Sequence, residues 1–257
     1  MSFFPIYGLP AGLDSFADLE PGLRRVMVRS FGVMVRTSRR FRALAVDYDD
    51  TLATNGAVNS TVLEGLNRLK ASDRRLLLVT GRQLEELRTV GPNLAIFDRV
   101  VAENGALLYR PDTGEEVPLG APPGDAFVSL LRRKQVTPLS VGRVIVATRT
   151  PQEIRVLKAI RELGLELDII FNKGAVMVLP SGVNKASGLK SALHELKVPP
   201  ERVVGVGDAE NDHAFLDACG FGVAVANAVP SLKAHAKLVT AGEAGEGVLE
   251  VIDMLMS

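Results

Sequence analysis

Residues 45–56 read AVDYDDTLATNG and crowd three carboxylates directly behind a short apolar run. Side chains two apart on an extended segment share a face, so Asp47 and Asp49 fall on one side and Asp50 turns away. Two carboxylates so placed raise each other's cost of ionisation unless a cation sits between them or one keeps its proton. Both solutions are chemically useful: a hard divalent ion such as Mg2+ takes carboxylate oxygens, and a protonated partner is a general acid. A calcium loop of the EF-hand kind is excluded, because counting from Asp47 the sixth and twelfth positions are Leu52 and Val58, where Gly and Glu are required. On this stretch alone, an acidic turn with solvated side chains is the competing explanation.

Three further stretches shift that balance. LLLVTGR ends an apolar run in Thr80 and Gly81, a hydroxyl and an open backbone suited to cradling phosphate oxygens. PSGVNKASGL places Lys185 at the start of an expected helix, where its ammonium and the helix N-terminus can both face an anion. VGVGDAENDHAF ends another apolar run in Asp208 and follows it with Asn211 and Asp212. Each is weak alone; together they supply metal ligands, a phosphate clamp and a nucleophile.

The elements that must position these residues alternate. ALAV (43–46), RLLLVT (75–80), DRVVAE (98–103), RVVGVGD (202–208) and GVAVA (222–226) have the length and composition of buried parallel strands. STVLEGLNRLKAS and KASGLKSALHELK space apolar residues at helical intervals, with Ser60 and Asn184 as starts. Strand and helix in alternation predict an α/β fold with a doubly wound parallel sheet, whose ligands bind outside the carboxyl ends of the strands.

Between residues 106 and 180 the pattern becomes a hairpin around Asp112-Thr113-Gly114, a helix over DAFVSLLRRK, a strand over GRVIVAT, a helix with Pro151 in its first turn, and a second hairpin turning at Lys173-Gly174. This is the pattern of a small α+β unit inserted into the larger sheet. The resulting division is an N-terminal extension (1–40), a core (41–105 and 181–257) and the insert (106–180). The extension is basic, with Arg24, Arg25, Arg29, Arg36, Arg39 and Arg40; an interaction arm or a targeting segment competes there with a loosely packed extension, and no function is assigned to it.

The 257 residues carry 30 Lys+Arg against 30 Asp+Glu, so no global field recruits nucleic acid or an anionic membrane. Cys219 is the single cysteine, which excludes an intramolecular disulfide and a thiolate cluster and fits a reducing, cytoplasmic setting. No segment approaches the ~20 apolar residues of a membrane helix. His194, His213 and His235 have no metal-ligand spacing, and GVGDAE ends in Glu210 where a dinucleotide loop needs Gly.

DYDDTL, VTGR, GVNKASGL and GDAENDHAFL, in that order, resemble the four motifs of the haloacid dehalogenase superfamily of phosphatases, over roughly residues 43–250. The resemblance implies a Mg2+-dependent phosphatase acting on a small phosphorylated metabolite through an aspartyl-phosphate. Asp47 matches the nucleophile and metal ligand, and Asp49 the general acid/base that also offers its backbone carbonyl to the metal. Thr80, Gly81 and Lys185 match the phosphate clamp, Asn211 a phosphate contact, Asp208 a metal ligand and Asp212 a support of the metal site. Asp50 stands where the family usually has Gly, and its carboxylate is expected to point away from the metal. The insert and VAENGALLY resemble subclass IIB, whose α/β cap reads the leaving group, as in archaeal phosphoglycolate phosphatases and sucrose-phosphate phosphatases. A phosphotransferase or phosphomutase on the same core, resembling phosphomannomutases, and a non-catalytic phosphate-binding module are the alternatives. The second has no need of a nucleophile.

Overall fold

The computed structural model describes residues 40–91 and 93–257, so the extension lies, apart from Arg40, outside the described residues. The strands are β1 (Ala43–Val46), β2 (Arg75–Val79), β3 (Arg99–Ala102), β4 (Leu107–Arg110), β5 (Glu115–Pro118), β6 (Ser140–Val141), β7 (Val146–Arg149), β8 (Leu167–Asn172), β9 (Ala175–Pro180), β10 (Val203–Gly207), β11 (Phe221–Ala224) and β12 (Leu238–Val239). The helices longer than one turn are α1 (Ser60–Ala71), α2 (Leu84–Val90), α3 (Asp125–Arg133), α4 (Glu153–Leu163), α5 (Lys185–Leu196), α6 (His213–Asp217), α7 (Pro230–His235) and α8 (Ala244–Met256).

Eight strands form one sheet in the order β12-β11-β10-β1-β2-β3-β4-β5. All pairs from β12 to β3 are parallel, and β1, β10 and β11 are buried along their whole length, as strands covered on both faces must be. The chain leaves β1 toward β2 and β3 on one side and returns at β10 on the other. The strand order therefore reverses at β1, which opens a crevice at the carboxyl ends of β1 and β10.

Caps set where the helices begin. Asn59 rather than Ser60 is the N-cap of α1, its side chain accepting the N–H of Val62 at 2.8 Å, so Ser60 is the first helical residue. Asn184 caps α5 as expected: its side chain accepts from Ala186 and Ser187, while Ser187 Oγ accepts the Asn184 N–H at 2.9 Å. This reciprocal pair fixes Lys185 at the first position of the helix. In the insert, Gln152 occupies the N-cap position of α4, and Pro151 sits one residue before it rather than inside the first turn.

The hairpin at 107–118, counted with the insert from sequence, belongs to the large sheet. β4 pairs antiparallel with β3, Val101 opposite Leu108, and covers what would otherwise be an open sheet edge. The remainder of the insert is a separate antiparallel sheet, β6-β7-β9-β8. Phe127, Leu131, Val156 and Ile160 of α3 and α4 pack with Val146 and Val178 on one face of it. The alternate residues Ile145, Met177 and Leu179 form a second apolar cluster with Val144 and with Ala106, which follows β3.

One buried carboxylate ties the two sheets together. Glu103, just past β3, accepts the N–H groups of Arg143, Val144 and Ile145 at 2.8, 2.8 and 2.9 Å, and a Cβ on Gly142 would lie 2.5 Å from its Oε1. Its backbone, like that of Asn104, is left-handed, with φ of 51° and 54°. Removing the carboxylate leaves main-chain donors without partners in a dry place. Glu103→Ala should therefore lower the unfolding free energy by about 2–3 kcal/mol, read as a midpoint shift in urea denaturation, with Glu103→Gln recovering part of the loss.

Candidate active site

β1 and β10 lie in register, Val46 opposite Val206, so the residues after them leave the sheet side by side. Asp47 is the first residue past β1, and its N–H donates to the Val206 carbonyl at 3.0 Å. Asp208 is the first residue past β10. Asp212 folds back over the same loop, its Oδ2 accepting the N–H groups of Asp208 and Ala209 at 2.9 and 3.0 Å. From the start of α5, Lys185 Nζ donates to Asp47 Oδ1 at 2.7 Å and to Asp212 Oδ1 at 2.6 Å. All four side chains are buried.

Burial pushes the Asp47 pKa well above the usual carboxylate range; Lys185 opposes this, while Asp212 and Asp208 add to it. Asp208 is likewise raised, first by burial, against a hydrogen bond from Lys173. Burial disfavours the Lys185 ammonium, but Asp212 and Asp47 outweigh it and hold its pKa above the ordinary lysine value. Asp47, Asp208 and Asp212 each bring a carboxylate oxygen within 4.8 Å of the others. Three carboxylates thus converge, two of them sharing one buried ammonium. The donors are all hard oxygens and the charge is in excess, which fits a hard divalent cation such as Mg2+.

Around this floor the other expected residues fall at different depths. Asp49 is half-exposed and held by Arg82, whose Nε and Nη2 reach its Oδ2 and Oδ1 at 2.8 and 2.7 Å. Thr80 is fully buried, and its Oγ1 accepts the Arg82 N–H at 3.1 Å. Asn211 Nδ2 donates to Asn104 Oδ1 at 2.8 Å, which leaves Asn211 Oδ1 and Asn104 Nδ2 buried without a partner. Asp47, Asp49, Gly81, Arg82 and Lys185 line one side of a cavity of about 610 Å³, and the small sheet lines the other.

Residues 44–118 and 135–252 match the family of haloacid dehalogenase-like hydrolases. The chain belongs to this family. The phosphoglycolate phosphatase of Methanothermobacter thermautotrophicus is 31% identical over 224 residues, which is 84% of this chain and 99% of that protein. Among solved structures, a Thermoplasma acidophilum protein superposes with a TM-score of 0.70 at 16% identity, covering 84% of this chain and 98% of that one. A subclass IIB sugar phosphatase superposes with a TM-score of 0.65 at 18% identity, covering 82% and 98%. By this family and these relatives, its class of activity is that of a phosphatase.

Asp50, at the family's usual Gly position, has φ of 55°, the left-handed backbone that Gly adopts without cost. Its carbonyl accepts from Asn227 Nδ2 at 2.7 Å, and its half-exposed carboxylate pairs with Lys173 Nζ at 2.7 Å. Lys173 Nζ also donates to Asp208 Oδ2, so the turn between β8 and β9 reaches across to the floor. Thr51, whose Oγ1 donates to Asp208 Oδ1 at 2.9 Å, Arg82, Asn104 and Lys173 all belong to the site and were not singled out from sequence. Thr51, Arg82 and Asn104 lie inside the stretches that carried the family resemblance, and strand-end position was the available signal. Lys173 was visible only as a turn residue.

The lone cysteine lies elsewhere. Cys219 is buried, its thiol pushed up to about 12 by that burial, and its Sγ donates to the Phe215 carbonyl. Among the described residues, the His213 ring lies near Ser231 and the His235 ring near Asp217, and neither belongs to the group of ligand atoms that gathers at Asp47, Asp208 and Asp212.

The buried triad makes a test of its own. Because Lys185 titrates higher in the folded than in the unfolded chain, its contribution is complete below the ordinary lysine pKa of about 10.4 and is lost only above it. Lys185→Met leaves Asp47 and Asp212 facing each other without their shared cation and should cost about 3–5 kcal/mol at pH 8. Lowering the pH favours the protonated form of Asp47, whose pKa is raised, and should narrow the deficit against wild type in parallel denaturation series.

Proposed function

We propose that this hydrolase is a Mg2+-dependent phosphatase that cleaves a small phosphate monoester, a phosphoglycolate-like acid or a sugar phosphate, through an aspartyl-phosphate on Asp47. The observation that carries the reading is the convergence of Asp47 with Lys185, Asp208 and Asp212 in one buried cluster beside a cavity large enough for a small ester. A binding site for phosphate alone gains nothing from a buried carboxylate facing an anion; a nucleophile accounts for it. The names of the curated relatives, phosphoglycolate phosphatases, support the ester class.

Asp47 and Asp208 would hold the metal, with Asp212 bracing both through Lys185 and the loop N–H groups, and Asp49 would add its backbone carbonyl. When bound, the ion offsets the repulsion between an anionic nucleophile and an anionic ester. The Asp47 carboxylate attacks phosphorus as the bond to the ester oxygen breaks. Lys185, Thr80, the Gly81 backbone and Asn211 meet the phosphoryl oxygens and their shifting charge. Asp49 donates a proton to the departing alkoxide and then takes one from the water that cleaves the acyl phosphate. For this, one Asp49 oxygen must leave Arg82, which in the resting arrangement holds both. Arg82 thereby holds the acid/base group at the cavity wall.

The test is phosphate release from phosphoglycolate, sugar phosphates and an aryl phosphate, with and without Mg2+, by wild type and Asp47→Asn. Release should require the metal and fall by roughly a thousandfold or more in the variant. Comparable release by Asp47→Asn would remove Asp47 as the nucleophile, and no release from any ester by folded, metal-loaded wild type would overturn the phosphatase assignment to this site.

A further inference from the structure

We infer that Arg149 and Lys173 form a subsite for a second negative charge on the leaving group, so that the preferred substrates are short phosphate monoesters bearing a carboxylate. This rests on the phosphatase reading above and names its substrate class.

The cavity has two chemically different walls. Its carboxylates, Asp47, Asp49 and Glu86, all come from the large-sheet side. The wall supplied by the small sheet carries no carboxylate; it presents apolar residues such as Ala147 and Met177 together with Arg149 and Lys173. Strand alternation explains the placement. Ile145, Ala147 and Arg149 lie on the face of β7 opposite Val146, which packs under the helices, and Arg149 pairs with Ala175 across the ladder. The Thr150 N–H donates to the Gly174 carbonyl at 3.0 Å, so Arg149 and the Lys173 turn share one end of the small sheet.

The cations of the cavity are not equally engaged. Lys185 is held by Asp47 and Asp212, and Arg82 by Asp49. Arg149 is exposed and has no ion-pair partner among the described residues. Lys173 pairs with Asp50 and Asp208, and a divalent ion held by Asp208 would leave it only the half-exposed Asp50. The neutral polar groups of this wall are mostly engaged: Ser140 Oγ accepts from Gln83 Nε2 at 2.7 Å, and Thr148 Oγ1 donates to the Pro138 carbonyl. Asn172 retains a free amide oxygen, and with its amide turned over the same position offers an N–H. Positive charge, unpaired at Arg149 among the described residues, is thus what this wall offers more than free hydroxyl groups. The reach is short, because the Lys173 ammonium touches Asp208 and Asp208 is in turn within 4.8 Å of an Asp47 oxygen.

The probes are phosphoglycolate and ethyl phosphate, which differ by a carboxylate in place of a methyl group. Wild type should favour phosphoglycolate in kcat/KM by roughly tenfold or more, and Arg149→Met and Lys173→Met should each cut that ratio by about tenfold. Both esters meet the same metal and phosphate clamp, so the ratio is insensitive to weakened metal binding or partial misfolding. Calorimetric binding of the two esters to Asp47→Asn protein, with and without Arg149→Met, should show the same loss of discrimination. No wild-type preference, or a ratio preserved in both variants, would overturn the subsite. If wild type released phosphate from neither ester, the phosphatase reading would fail, and the Asp47→Asn binding ratio would still decide the subsite.

Discussion

Everything in the site depends on one buried ammonium. Lys185 joins the end of β1, the start of α5 and the loop after β10 by donating to Asp47 and Asp212, all three side chains being buried. Burying an ion pair is at best a small gain in stability, because the cost of stripping both charges of water is close to the attraction recovered. A well-packed apolar trio would hold these three segments together as effectively. The arrangement makes sense as pre-organisation: a carboxylate is presented buried and fixed at the floor of a cavity, with positive charge already in place where a phosphoryl group would arrive.

The fold supplies the convergence by its strand order. Since β1 lies between β10 and β2, the residues following β1, β2 and β10 emerge on the same rim, although they are up to about 160 positions apart in the chain. Asp212 then stiffens the rim by accepting two loop N–H groups while sharing Lys185, so that the position of Asp208 follows from the same charge balance that places Asp47.

Much of this was legible because it is local. The ALAV run became β1 with the same ends, and each polar residue placed after an apolar run fell at the sheet's carboxyl rim. Asn184 could be read as a cap because an amide preceding a helical period has a specific use, whereas Asn59 and Ser60 both qualify by type and only the turn geometry separates them. What escaped were relations between distant segments. The 107–118 hairpin has the same pattern whichever sheet it joins, and the unpaired edge of β3 decides the matter. Glu103 reads as the polar end of a strand, and its three N–H partners lie some 40 residues away in the insert. Lys173 marks a turn, and nothing in its neighbourhood announces that the turn reaches Asp208.

The residues that escaped also show how the two sheets are coupled. Glu103 and Asn104 occupy successive left-handed positions, a conformation that costs non-glycine residues energy unless the surroundings fix it. Here the surroundings do so from three directions. The Glu103 N–H donates to the Arg82 carbonyl and the Asn104 N–H to the Thr80 carbonyl, both at 2.9 Å, which clamps the loop after β2. The Glu103 carboxylate holds the small sheet, and the Asn104 amide meets Asn211. Gly105, at φ of 104°, lets this corner press against the start of α5, where a Cβ would fall 1.9 Å from the Asn184 carbonyl oxygen. The corner therefore touches the Thr80–Arg82 loop, the Asn211 loop, the helix that carries Lys185 and the wall that carries Arg149. A shift of the small sheet relative to the large one must be accommodated at this corner, because packed groups with complementary hydrogen bonds move as units rather than stretch. The wall that carries Arg149 and the floor that carries Asp47 are thus joined through a carboxylate that lines neither.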